Sequence, residues 1–131
     1  MNLLELHKKR KEERMIELSD LYARIDDKNK NGCGCGKGWY NLLKELDVKL
    51  SQIDPTYTVY QFKEKFGILR FYAECHSDND NDKQKFKDVV NEAQQASSKI
   101  CENCGKPGTS NNSRLWVKTL CVDCNNQPIL I

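Results

Sequence analysis

At 131 residues, with 31% charged side chains and a net charge of +2, the chain suits one modest core with appendages. A mean hydropathy of -0.76 and the lack of any apolar run of about 18 residues exclude a membrane-spanning helix. A pI near 8.1 is too mild to imply nucleic-acid binding from bulk charge, so such binding would need a local patch.

The pattern predicts a helix from residue 2 to about 28. Leu4, Leu18 and Ile25 share a stripe at heptad spacing, with Leu21 beside it. His7, Lys11 and Arg14 interrupt that stripe in its first half. Residues 8–14 are almost entirely charged, which points to a solvated helix laced with ion pairs. The same stripe offers a seam for a helical dimer, and the basic residues offer a second reading as a nucleic-acid contact. Leu3, Leu4 and Leu6 run straight into His7–Lys11 without a secretory apolar region, so the expected location is the cytosol.

Residues 28–38 contain four glycines and two asparagines and break the helix. A plain flexible connection is expected there. The glycines with Lys37 lack the spacing of a phosphate-binding loop. From Trp39 to Ile53 the apolar residues Leu42, Leu43, Leu46 and Leu50 follow helical spacing, and Asp54-Pro55 ends the run. Thr56–Lys63 and Ile68–Glu74 read as two strands of a hairpin, with Gly67 able to take positive φ in the turn. A polar loop at 77–82 caps a further helix whose apolar face holds Phe86, Val89, Val90, Ala93, Ala96 and Ile100. Asp78, Asp80 and Asp82 do not open a calcium loop, because Lys83 and Val89 stand where glycine and glutamate are required.

The tail carries the clearest chemistry. Cys101 and Cys104 form one C-x2-C pair, and sixteen residues later Cys121 and Cys124 form another. This is the spacing of a four-thiolate zinc site, with Arg114–Leu120 as the strand that returns the second pair to the first. Four thiolates fill a tetrahedral ion, so the site is structural. Seven cysteines is an odd number, which argues against a fully paired disulfide framework. Cys33, Cys35, Cys75 and His76 offer a second, weaker ligand set.

Lys63, Lys65 and Arg70 are interleaved with aromatics on the hairpin, and Arg114, Trp116 and Lys118 repeat the mixture in the tail. These six form a candidate binding surface. His7 and His76 are the only histidines, and neither sits in a triad or nucleophile motif, so catalysis is not expected.

Three stretches carry a resemblance. They are Gly38-Trp39-Tyr40 at a helix start, the string KEKFGILRFY from Lys63 to Tyr72, and a tail running Cys101-x2-Cys104-Gly105-x-Pro107-Gly108 to Trp116-x2-Thr119-Leu120-Cys121. Together they resemble a group of small zinc-ribbon proteins of phages and prophages, over roughly residues 38–124. In that group the last ligand is commonly His; here Cys124 takes the place. The resemblance implies a phage product acting in a bacterial cytoplasm and supplies no catalytic residue.

The sequence thus predicts an α+β protein: a charged N-terminal helix (1–30), a Gly-rich linker (31–38), a small α+β core (39–100) and a zinc ribbon (101–131). The expected function is that of a zinc-binding, non-enzymatic interaction protein. Its expected partner is a host or phage protein, with a role in modulating host defence or a host enzyme. The alternative is a nucleic-acid-binding zinc ribbon, and an enzyme is a distant second alternative.

Overall fold

The computed structural model describes residues 2–111 and 117–126. The fold is α+β, as the periodicities predict. Helices α1 (Leu3–Glu17) and α2 (Ser19–Tyr22) are followed by a 3-10 segment (Asp27–Gly32) and a short 3-10 turn (Lys37–Trp39). Helix α3 (Tyr40–Ile53) leads to the hairpin β1 (Thr58–Lys65) and β2 (Ile68–Glu74), then to α4 (Asp80–Ser97). A small hairpin, β3 (Thr109–Asn111) with β4 (Lys118–Leu120), and α5 (Val122–Asn125) complete the described chain.

The single N-terminal helix expected from the sequence breaks at Leu18, where φ is -109° and ψ is 34°. The break separates two kinds of sequence. Helix α1 buries no residue, as its run of charges dictates. Past the break, Leu18, Leu21, Tyr22 and Ile25 are all buried in the core. Three of the four stripe residues are therefore taken up by the chain's own core, which removes the seam expected for a helical dimer.

That core is built on α3 and α4. Leu43, Leu46 and Leu50 of α3 meet Phe86, Val90 and Ala93 of α4, and Phe62, Leu69 and Phe71 supply the sheet side. Each fully buried leucine or phenylalanine contributes roughly 1.5–3 kcal/mol. Two edge-to-face ring pairs add directionality: Tyr22 with Phe62 at 5.5 Å, and Tyr57 with Phe86 at 5.4 Å.

A two-stranded sheet has two open edges, and both are dressed here. On β2, the Leu69 amide donates to Ser97 Oγ at 2.8 Å and the Phe71 amide to Gln94 Oε1 at 3.0 Å. On β1, the Val59 amide donates to the Arg24 carbonyl, and Phe62 accepts from the Gly34 amide at 2.9 Å. A bulge between Val59 and Gln61 gives Tyr60 an unpaired position beside Tyr72.

Arg24 ties three segments together. Its guanidinium bonds Asp47 at 2.9 Å, Ser51 Oγ at 2.8 Å and the carbonyls of Pro55 and Tyr57. It also lies 4.0 Å over the Tyr57 ring. The Tyr57 hydroxyl donates to the same Asp47 carboxylate. Nothing in the residue pattern marks Arg24 out from the other arginines of the charged segment.

Asp54 ends α3 and closes the next turn. Its carboxylate accepts from the Thr56 amide at 2.9 Å, the Thr56 hydroxyl at 2.7 Å and the His76 amide at 2.6 Å. Burial alone would push this carboxyl up, but the donors from Thr56 and His76 hold it below its ordinary value. The folded state therefore binds this proton less tightly than the unfolded chain. The stabilisation is present above the unfolded value of about 3.9 and is lost as pH falls through the lower folded value. Asp54→Asn should cost about 1–3 kcal/mol at pH 7. Urea unfolding of both proteins should show the gap narrowing at about pH 3. A constant gap would assign the loss to shape and not to charge.

Candidate metal centre

The Sγ atoms of Cys101, Cys104, Cys121 and Cys124 all lie within 4.8 Å of one another. A tetrahedral ion with metal–sulfur bonds of about 2.3 Å would set its sulfurs about 3.8 Å apart. Cys104 and Cys121 already stand 3.6 Å apart, and a contraction of about 1 Å in the wider pairs would close the set around such an ion. Among the described residues this is the one group of His, Cys, Asp and Glu that could hold a metal.

Local turns aim the sulfurs. In the first knuckle the Gly105 amide donates to the Cys101 carbonyl at 2.9 Å, and Gly105 takes a φ of 84°, which a side chain would strain. The Cys101 amide returns to the Lys106 carbonyl at 2.7 Å. In the second knuckle Cys121 caps α5, its sulfur accepting from the Cys124 amide at 3.4 Å. Asn103 Nδ2 donates to the Cys124 sulfur at 3.2 Å. Such donors favour thiolate over thiol.

The four sulfurs oppose one another's ionisation. Burial would raise the Cys101 thiol, but backbone amides of Cys121, Cys104 and Asn103 outweigh it and bring it down to about 7. Asn103 pulls the Cys124 thiol down, yet burial and the three neighbouring sulfurs push it up to about 12. One thiolate thus raises the cost of the next. A divalent cation reverses that sign and makes all four thiolates favourable.

The centre is fused to the core, which the sequence did not reveal. The Gly-rich segment, expected to be a plain flexible connection, is a packed loop. The Gly38 amide donates to the Glu102 carbonyl at 2.7 Å, and the Gly36 amide to Glu102 Oε2 at 2.8 Å. The fully buried Trp39 donates its indole N–H to the Ile100 carbonyl at 2.9 Å. A Cβ on Gly38 would sit 2.1 Å from the Cys101 carbonyl oxygen, and one on Gly36 2.4 Å from that of Glu102. Only glycine allows the loop to lie this close to the knuckle.

Glu102 is the clamp between these parts. Burial pushes its carboxyl up, while Lys118 and the Gly36 amide draw it back. Lys118 Nζ lies 3.4 Å from Glu102 and 3.3 Å from Glu64. On β4, the buried Thr119 donates its hydroxyl to the Gly67 carbonyl in the β1–β2 turn at 2.6 Å. The metal knuckles therefore reach the Lys99–Ile100 stretch after α4, the Gly-rich loop and the hairpin turn at once.

The second ligand set does not assemble. Gly34, between Cys33 and Cys35, bridges to Lys63 near one end of β1, whereas His76 Nε2 lies 3.1 Å from Thr58 Oγ1 at the other. Five residues of strand separate these ends, about 16 Å. The Cys33 sulfur points to the Asn29 carbonyl at 3.6 Å. Burial, with some help from Glu102, pushes the Cys35 thiol up to about 12 against Arg14 and Lys118. It stays protonated at neutral pH and is a poor ligand. Arg14 closes this loop by donating toward the carbonyls of Cys35 and Cys33 and to the Tyr22 hydroxyl.

The candidate binding surface divides. Lys63 and Arg70 face each other across the hairpin, on the same side as Lys65. Lys118 does not join them, because its ion pairs with Glu64 and Glu102 hold it against the knuckle. Arg114 and Trp116 lie outside the described residues. The structure adds three exposed aromatics to the hairpin: Phe66 at 66%, Tyr60 at 48% and Tyr72 at 47%. Phe66 has a φ of 54°, so both residues of the two-residue turn, Phe66 and Gly67, are left-handed. Residue type alone predicts that conformation only for Gly67.

No family model, curated protein or solved structure matches this chain.

Proposed function

We propose that the chain is a small zinc-binding, non-enzymatic interaction protein of a phage or prophage, acting in the bacterial cytoplasm on a host or phage macromolecule. The cluster of four cysteine sulfurs within 4.8 Å carries this reading. Zinc suits it best, because thiolate sets of this spacing and tetrahedral size are its usual structural home. With four sulfurs bound, the ion has no open position for water or substrate. Its work is to hold β3–β4 and the Gly-rich loop against the core, and recognition falls to the surface.

The outer face of the β1–β2 hairpin is that surface. Three exposed aromatics gathered beside three cations exceed what a solvated sheet face requires. Capture from a bacterial lysate tests the reading. Immobilised zinc-loaded protein should retain a macromolecule that the Lys63→Glu, Arg70→Glu double variant loses. Equal retention by both, or none by either, would refute it.

A further inference from the structure

Resting on that reading, we propose that the partner of the hairpin face is a single-stranded nucleic acid. Phe66, Tyr72 and Tyr60 serve as stacking platforms, and Lys63, Lys65 and Arg70 as phosphate contacts.

The register puts these groups on one side. Phe62 with Phe71, and Leu69 opposite Glu64, occupy the inner face against α4. The alternate pairs, Lys63 with Arg70 and Lys65 with Ile68, therefore project outward, as does Tyr72 opposite Gln61. The bulge brings Tyr60 to the same end as Tyr72. Phe66 stands at the opposite end, in the turn. From Ile68 to Tyr72 the strand spans about 13 Å. Aromatic rings thus bracket a cationic middle.

Phe66 is the most telling of the six. A bulky side chain with φ of 54° in a two-residue turn is disfavoured relative to glycine or asparagine. Its ring is not stabilised by burial, since the residue is 66% exposed. Its one ring contact among the described residues is Lys65 Nζ, 5.7 Å from the centroid. A residue that is both strained and exposed has its use outside the fold. Thr119, bonded to Gly67 from β4, fixes the turn that presents it.

The chemistry selects the partner class. Lysine is depleted from the centres of protein interfaces, where a desolvated ammonium is costly, yet here Lys63 sits between the aromatics. Phosphates complement that charge. A duplex keeps its bases stacked and would leave three rings idle, whereas a single strand offers a π-face at each base. Two carboxylates near the rings are both engaged: Glu74 accepts the Tyr60 hydroxyl, and Glu64 accepts the Gly67 amide and pairs with Lys118. Beyond Tyr60 and Tyr72 the strip continues into a groove against α4 that is lined by Lys83 and Lys87. These extend the cationic path in the direction a strand would leave.

The test uses the zinc-loaded full chain and labelled oligo-dT and oligo-U of about fifteen nucleotides, a length chosen from known single-strand site sizes. Fluorescence anisotropy should show binding that weakens about 20-fold between 50 and 200 mM salt, as three phosphate contacts on a single strand imply. Phe66→Gly removes the ring and suits the left-handed turn. It should keep or raise the melting temperature while weakening binding about tenfold. Preference for oligo-U over oligo-dT, or parity, identifies the strand as RNA or either, and supports the proposal. Tighter binding to a duplex of equal length, or no binding to any probe at 50 mM salt, overturns it. In that event, nuclease treatment of the lysate before capture separates the two readings. Hairpin-dependent capture that survives nuclease leaves the interaction reading standing with a protein partner. Absence of hairpin-dependent capture even from lysate that has seen no nuclease removes both.

Discussion

Chelating the metal will unfold the cysteine-rich tail and loosen the core where the tail is fused to it. The tail holds few apolar residues of its own. Its buried cluster consists of Cys101, Cys121 and Cys124, with Leu120 packed beside them. Metal binding of roughly 10–16 kcal/mol in small zinc units supplies what such a segment lacks. Without it, four thiols have no reason to converge, and the turns of both knuckles lose their anchor. The effect does not stop there, because Trp39 donates to Ile100 and the Gly36 and Gly38 amides donate to Glu102. In a Trp116→Phe background the fluorescence of Trp39 should shift to the red on chelation, reporting water at a site that is fully buried in the folded chain. Amide exchange should accelerate at Gly36, Gly38, Cys101 and Glu102, and remain slow at Leu69 and Phe71, whose acceptors belong to α4. Fast exchange confined to residues beyond 104, with Trp39 unmoved, would make the tail an independent appendage.

Gly38→Ala should be the most damaging single methyl addition in the chain. The new Cβ would lie 2.1 Å from the Cys101 carbonyl oxygen and 2.6 Å from the carbonyl carbon and oxygen of Glu102. All three atoms are backbone and belong to the metal knuckle, so no side chain can swing away to make room. The loop and the knuckle must separate, which breaks the Gly38–Glu102 bond and strains a ligand. We expect a loss of about 3 kcal/mol, at the upper end of overpacking costs. Zinc affinity should fall with it, since a metal that stabilises the docked loop is in turn bound more weakly when docking is impaired. Gly32→Ala is the matched control. Its Cβ would meet only Gln61 Nε2 at 3.0 Å, the far end of a flexible side chain. Thermal melts and a zinc competition titration should separate the two variants clearly. Equal effects would show that the close approach of loop and knuckle is unimportant.

These two predictions concern what the sequence hid most thoroughly. The amphipathic periods of α3 and α4, the alternation of β1 and β2 and the two C-x2-C pairs were all legible, because each is a short-range pattern with a physical period. The break at Leu18 was not, since a heptad stripe continues through it and only the competition between solvent and core decides which half is buried. The Gly-rich loop reads as flexible because glycine permits both freedom and close approach, and the sequence does not say which. Its contacts with Glu102 join residues far apart in the chain. Glu102 itself looked like an ordinary polar residue inside a knuckle. Cys33 and Cys35 looked like ligands by composition, yet the parallel bridge of Gly34 to Lys63 carries them away from Cys75 and His76. Lys118 groups with Lys63 and Arg70 by residue type, but Glu64 and Glu102 draw it to the other side. Side-chain partners of this kind depend on tertiary placement.

The most direct measurement is the metal content of the purified chain, by mass spectrometry under native conditions and by elemental analysis. The account predicts one zinc ion per chain, lost in a Cys101→Ser, Cys121→Ser variant and retained in a Cys33→Ser, Cys75→Ser variant. Two ions per chain, or zinc that survives removal of Cys101 and Cys121, would contradict it.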